Sequence, residues 1–225
     1  MRTRRLARLS VIVLGIPFLL AAFGGWATIT VEDLPDSLPV GQPADLVFSV
    51  RQHGVRLISG LDPEVEARLG RGGRRVEVKA VATVAEGRYR AALALPEAGE
   101  WTIVIHSGFG PSRLKLLPVR AGSGPASTAP LTNVERGRRL FVAKGCAMCH
   151  INSAIQSEEK PHDVGAPDLT GRTYPAAALA QQLTNPAATA AAQHRENRMP
   201  TLGLKPAEIA ALTAFINGER AAGGR

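Results

Sequence analysis

The sequence predicts two domains in series, a β-sandwich followed by a small all-helical domain, behind an apolar export segment. Three observations predict this. Apolar residues recur at every second position up to residue 120, they recur at helical spacing from residue 132 onward, and an uncharged stretch follows a cluster of arginines at the N-terminus. The 225 residues suit one large domain or two small ones. With 45% hydrophobic and 20% charged residues, the composition excludes a polytopic membrane protein and a mostly disordered chain.

The net charge of +8 invites a nucleic-acid reading until it is divided along the chain. Arg2, Arg4, Arg5 and Arg8 supply +4 of it, residues 28–120 only +1 and residues 133–225 only +3. No domain then has the basic surface that phosphate binding requires, which excludes nucleic acid as a partner.

Residues 1–27 read as the export segment. Residues 1–10 are basic, and no charge occurs from 11 to 31. Positive charge stays on the cytoplasmic side while the apolar stretch enters the membrane. Gly15 and Pro17 weaken the stretch as a spanning helix, and the small residues Ala21, Ala22, Gly24, Gly25 and Ala27 offer cleavage points. The segment is either removed as a signal peptide or kept as an N-terminal membrane anchor. Both fates place the rest of the chain outside the cytoplasm, on the periplasmic side.

Residues 28–120 read as strands. Tyr89, Ala91, Leu93 and Leu95 are spaced by two, as are Trp101, Ile103 and Ile105, and further β-rich runs lie at 28–31, 46–50, 76–84 and 114–119. Glycine- and proline-rich turn signals separate them, and some seven short strands with no helical pattern between them indicate a sandwich. Residues 121–131 carry no charge and almost no large apolar side chain, the composition of a linker that permits some motion.

Residues 132–225 change period. Thr132 and Glu135 stand at capping-box spacing, Val134, Gly137, Leu140 and Phe141 recur behind them, and Gly145 suits the stop. A second helix is expected from Pro175 to Asn185-Pro186. A third opens at Pro206, carries Ile209, Leu212, Phe215 and Ile216 as its apolar stripe, and ends at Gly218.

The chain has only two cysteines, in Cys146-Ala147-Met148-Cys149-His150. Two thiols about one turn apart with an imidazole directly after them suit covalent attachment of haem, with His150 beneath the iron. A redox dithiol would need a βαβ context, and half of a zinc site would need a second ligand pair. Downstream candidates for the sixth ligand are His162, His194 and Met199; Met148 sits inside the attachment motif. Met199 is favoured because Pro200 disfavours helix before it and leaves it on a loop, and a thioether is a soft, neutral ligand that raises the potential.

These motifs together resemble class I (mono-haem) c-type cytochrome domains over residues 132–220. Gly137 and Phe141 correspond to the family's contact with its last helix, here Leu212 and Phe215. Cys146 to His150 corresponds to the attachment site, and Met199-Pro200 to the distal ligand. The loop Gly165-Ala166-Pro167-Asp168-Leu169-Thr170-Gly171 also corresponds, although Ala166 separates a glycine and proline that are adjacent in many members. The resemblance implies one covalent haem c, bound by Cys146, Cys149, His150, Pro167 and Met199. His150 and Met199 would hold the iron, and the Pro167 carbonyl would accept a hydrogen bond from His150.

The first domain, through Val50 to Gly54, Gly60 to Pro63 and Pro96 to Trp101, is similar to exported immunoglobulin-like domains of the YtkA/FixH type. The resulting fold class is an all-β immunoglobulin-like sandwich followed by an all-α cytochrome c fold. The expected function is an exported electron carrier, not an enzyme, docking through its β-domain to a membrane-bound oxidase or dehydrogenase complex. Arg136, Arg138, Arg139 and Lys144 form a basic helix face, either solvated or steering an acidic partner. Two rivals remain: an open-site haem sensor or enzyme without the Met199 bond, and a copper-handling assembly factor using His53 and His106. With no Cys or Met in the sandwich, the latter lacks the ligands of a blue-copper or dinuclear centre.

Overall fold

Among the described residues, eleven strands and four α-helices follow one another in the order the sequence suggests, all strands before all helices. The structure, a computed structural model, describes residues 25–122, 131–155, 161–194, 196 and 199–223. Residues 1–24 of the leader read over 1–27, and residues 123–130 of the linker, lie outside them. Among the described residues no helix is long and apolar enough to cross a membrane.

The strands form two packed sheets. One has the order β1 (Ala27–Val31), β3 (Pro43–Gln52), β8 (Arg88–Ala94), β7 (Val81–Ala82), with β4 (Arg56–Leu57) on β3. The other has the order β2 (Ser37–Leu38), β11 (Val119–Ala121), β9 (Gly99–His106), β5 (Glu64–Leu69), β6 (Arg75–Lys79), with β10 (Arg113–Lys115) on β9. This is the immunoglobulin-like arrangement of two sheets, antiparallel except where β2 pairs with β11 in parallel, with strands exchanged between them. Alternation decides which side chains enter the core: Trp101, Ile103 and Ile105 of β9 and Tyr89, Ala91 and Leu93 of β8 are buried, while their neighbours face outward. The buried aromatics keep their polar atoms satisfied. Trp101 Nε1 donates to the Glu97 carbonyl at 3.0 Å, and the Tyr89 hydroxyl donates to the Ile58 carbonyl at 2.8 Å.

Three runs differ from the sequence reading. Residues 76–84 are not one strand, because the chain crosses from β6 in one sheet to β7 in the other at Ala80. Residues 114–119 divide into β10 and β11. The strand β5, whose apolar Val65 and Ala67 alternate with Glu64, Glu66 and Arg68, was not among the expected runs.

The helices are α1 (Asn133–Ala143), α2 (Ala176–Thr184), α3 (Pro186–Ala192) and α4 (Pro206–Gly223). Two corrections arise here. Asn185-Pro186 not only ends α2 but opens α3, with the Asn185 side chain accepting from Ala188 N–H and proline at the first helical position. Gly218 does not stop α4; it lies inside the helix, where a Cβ would stand 3.3 Å from a Val134 methyl of α1. Leu140, Phe141, Leu179, Leu183, Leu212 and Phe215 form the helical core.

The two domains share an interface. Every residue of β1 is buried, including the outward Thr28 and Thr30, although β1 is an edge strand. The end of α1 covers them: Val142 and Ala143 belong to the core of the sandwich, and Thr30 Oγ1 donates to the Lys144 carbonyl at 3.3 Å.

Candidate functional site

Helix α1 delivers the attachment motif. Its capping box closes in both directions, with Glu135 N–H donating to Thr132 Oγ1 at 3.2 Å and Thr132 N–H donating to Glu135 Oε2 at 2.9 Å. Beyond Ala143 the chain turns at Gly145, whose φ of +77° favours glycine; a Cβ there would also stand 2.6 Å from the Ile29 carbonyl oxygen. A single 3₁₀ turn, Cys146–Met148, follows, and His150 N–H donates back to the Cys146 carbonyl at 2.8 Å.

This turn brings Cys146, Cys149 and His150 onto one cavity of about 1150 Å³, more than the roughly 300–1,000 Å³ of most small-molecule pockets. Phe141, Leu179, Leu183, Leu212 and Ile216 form its apolar helical wall, and Met199 and Pro167 also line it. The sandwich supplies the other wall through Trp26, Thr28, Thr30, His53 and Val55.

Both cysteines are free. Burial pushes the Cys146 thiol up to about 12, with Cys149 adding to it, and burial raises Cys149 as well. The shift runs opposite to the depressed pKa values on which redox dithiols work. Burial lowers the His150 imidazole, and its contact with Pro167 opposes this; His150 Nδ1 lies 3.0 Å from the Pro167 carbonyl oxygen. That carbonyl can only accept, so Nδ1 carries the proton and Nε2 keeps its lone pair. Met199 Sδ accepts from Gln182 Nε2 at 3.5 Å.

The other ligand candidates lie elsewhere. Met148 packs against the sandwich core, His162 stacks on Trp26, and His194 sits in a left-handed conformation, φ +52°, after α3. None of the three lines the cavity. Of the two copper candidates, His53 lines the cavity from a left-handed turn of φ +52°, whereas His106 ends β9 opposite Glu64 and Arg113. Among the described residues no three of His, Cys, Asp and Glu gather to hold a metal ion.

The basic face of α1 finds its acidic partner within the chain. Arg136 makes a two-pronged contact with Asp36, Nη2 to Oδ2 at 2.6 Å, and Arg139 donates to the carbonyls of Asp36 and Pro118 at 2.8 and 3.0 Å. Lys144, 5% exposed, pairs with Glu208 at 2.8 Å and donates to the Glu32 carbonyl. Arg138 donates to the Ala154 carbonyl. Arg136, Arg139 and Lys144 are thus engaged within the chain, whereas Arg138 stays exposed, as on a solvated face. Sequence reasoning missed Trp26, within the stretch read as leader, and Gln182, which resembles any polar residue on an amphipathic helix.

The donor set fits the group that the attachment motif implies: two thiols, an imidazole with one nitrogen committed to a carbonyl, and a thioether, around one large cavity with an apolar wall. Residues 134–218 match the family model for cytochrome c. Among solved structures, the chain is similar to the crystal structure of the Lin-41 filamin domain. That match is 16% identical and covers 44% of this chain and 93% of that chain, with a TM-score of 0.34. No curated protein sequence matches.

Proposed function

With residues 134–218 a c-type cytochrome domain, we propose that this chain is an exported electron carrier holding one haem c, docked through its β-domain to a larger membrane redox complex. When bound, haem c supplies a one-electron couple between ferric and ferrous iron. Cys146 and Cys149 would hold it covalently, and His150 and Met199 would hold the iron. The observation that carries this reading is the convergence of these four side chains on one cavity.

Each residue has a physical task. The Pro167 carbonyl fixes the tautomer of His150 and makes its imidazole a better donor. The neutral thioether of Met199 favours the ferrous state, as does the exclusion of water by Leu179, Leu183, Leu212 and Ile216. Haem-based electron transfer needs no group to take up a proton, and these neutral donors supply none.

Export rests on the four arginines and the uncharged stretch of residues 11–31, read as a signal peptide or membrane anchor. Cytochrome c domains are typically extracytoplasmic, which agrees with the periplasmic side. Docking through the β-domain is supported by its far edge. The sheet order places β7 opposite β1, so β7 lies away from the cytochrome domain, and Val81 there and Val84 just beyond are 56% and 109% exposed.

The test is expression with a c-type maturation system. Acid–acetone should leave the pigment on the chain, and Cys146→Ala/Cys149→Ala should lose it. Met199→Ala should abolish the weak far-red sulfur–iron band of the ferric protein and lower the reduction potential. A pigment extracted from the wild-type chain would end the reading.

A further inference from the structure

The chain from Trp26 to Glu32 runs beside the attachment segment of the other domain and touches it repeatedly. Gly145 seats against the Ile29 carbonyl, Thr30 donates to the Lys144 carbonyl, and Lys144 donates to the Glu32 carbonyl. At the near end of this stretch the indole of Trp26 lies face to face with the imidazole of His162, with ring centroids 4.0 Å apart and planes 14° apart.

His162 begins the loop that carries the Pro167 carbonyl. That loop is tied at both ends, by His162 N–H donating to the Met148 carbonyl inside the attachment motif and Leu169 N–H to the Ile151 carbonyl just after it, each at 2.8 Å. Between these ties Gly165 has nothing within 4 Å of where a Cβ would sit, and Asp163 and Gly165 are exposed. The middle of the loop therefore has little packing of its own, and the indole is a rigid surface laid against its first residue.

We propose that Trp26 is a positioning residue for the proximal ligand: by stacking on His162 it holds the loop so that the Pro167 carbonyl stays against His150 Nδ1. The inference rests on the haem reading above. It makes the sandwich part of the cytochrome's site, because the residue just before β1 in the first domain sets the hydrogen bond of a ligand in the second. A firm Nδ1–H to carbonyl bond strengthens imidazole as a donor and favours ferric iron; a slack one shifts the couple the other way.

The test uses full-length holoprotein and His162→Ala, because His162 does not line the cavity and its loss leaves the cavity wall intact. The midpoint potential should rise, and the ferric low-spin EPR signal should change as the imidazole loses its fixed orientation. His162→Phe, which retains a ring to stack, should restore both. Trp26→Ala also opens the cavity to water, so the informative comparison lies within that background: adding His162→Ala should then produce no further shift. An unchanged potential in His162→Ala at full haem content, or an equal shift in both backgrounds, overturns the proposal. Should His162→Ala not accumulate, His162→Leu keeps the bulk without the ring stack and carries the same expectation. A chain with no covalent pigment in the pyridine haemochrome assay would sink the haem reading instead, so the two failures are distinct.

Discussion

At Gly137 the backbones of α1 and α4 come so close that a Cβ would stand 2.0 Å from the Ala211 carbonyl oxygen and 2.7 Å from the Phe215 Cβ. Beside this crossing Phe141 and Phe215 pack with ring centroids 5.5 Å apart. Gly137→Ala must therefore push the helices apart. Overpacking of this kind costs about 1–3 kcal/mol, and the thermal midpoint of the holoprotein should fall accordingly; an unchanged midpoint would mean the crossing yields freely. This crossing was legible because the glycine and the aromatic share one helical stripe. The attachment residues were equally legible, since Cys146, Cys149 and His150 lie on one short turn. Trp26 and Gln182 were not, because what they touch comes from distant stretches of chain that no local spacing records.

Lys144 shows how an element hides its surroundings from the sequence. It follows three helical cations and reads as a solvated face, yet its side chain is 4% exposed and its partner Glu208, at the start of α4, is 13% exposed. Burying a charge is tolerated only when it is paired and hydrogen-bonded, and here Glu208 and the Glu32 carbonyl meet that need. Lys144→Met leaves the Glu208 carboxylate without this ammonium, a loss that costs about 3–5 kcal/mol and should lower the denaturant midpoint of the full chain. The double change Lys144→Met/Glu208→Leu should recover much of the loss, since an apolar pair can replace a buried ion pair. A double variant as weak as the single one would show that packing, not the unpaired charge, was responsible. The strands divide along the same line. β8 and β9 were legible because each has one buried and one open face; β6 and β7 were not, because the run from 76 to 84 passes between sheets without losing its valine-rich composition.

Across the whole molecule, cations of the cytochrome domain meet anions and carbonyls of the sandwich. Arg136 and Arg139 reach Asp36 and its carbonyl, and Lys205 reaches Asp33. A linker composition between two separate cores suggested some motion between them; the buried β1 and these pairs join the two domains along an interface. On the proposed function, the sandwich then fixes how the cytochrome meets its partner. The pairing has a pH signature. The Arg136 hydrogen bond holds the Asp36 carboxyl below the usual carboxylate range despite partial burial, and the Lys205 hydrogen bond does the same for Asp33. A carboxyl with a depressed pKa contributes stability above its unfolded value of about 3.9, and that contribution is lost as pH falls through the folded value. The Asp36 side chain is 34% exposed, so solvent screens the pair and its worth is at most about 1 kcal/mol. Three results should follow. Asp36→Asn should lower stability slightly at pH 7, and stability measured by urea unfolding should fall less steeply below pH 4 in Asp36→Asn than in the wild type. Cleavage by an acid-active protease within residues 121–131 should rise in the wild type over that same range, as the interface loosens. Identical acid profiles for the two chains would show that Asp36 titrates alike folded and unfolded, and that its pairing with Arg136 does not give the interface its acid sensitivity.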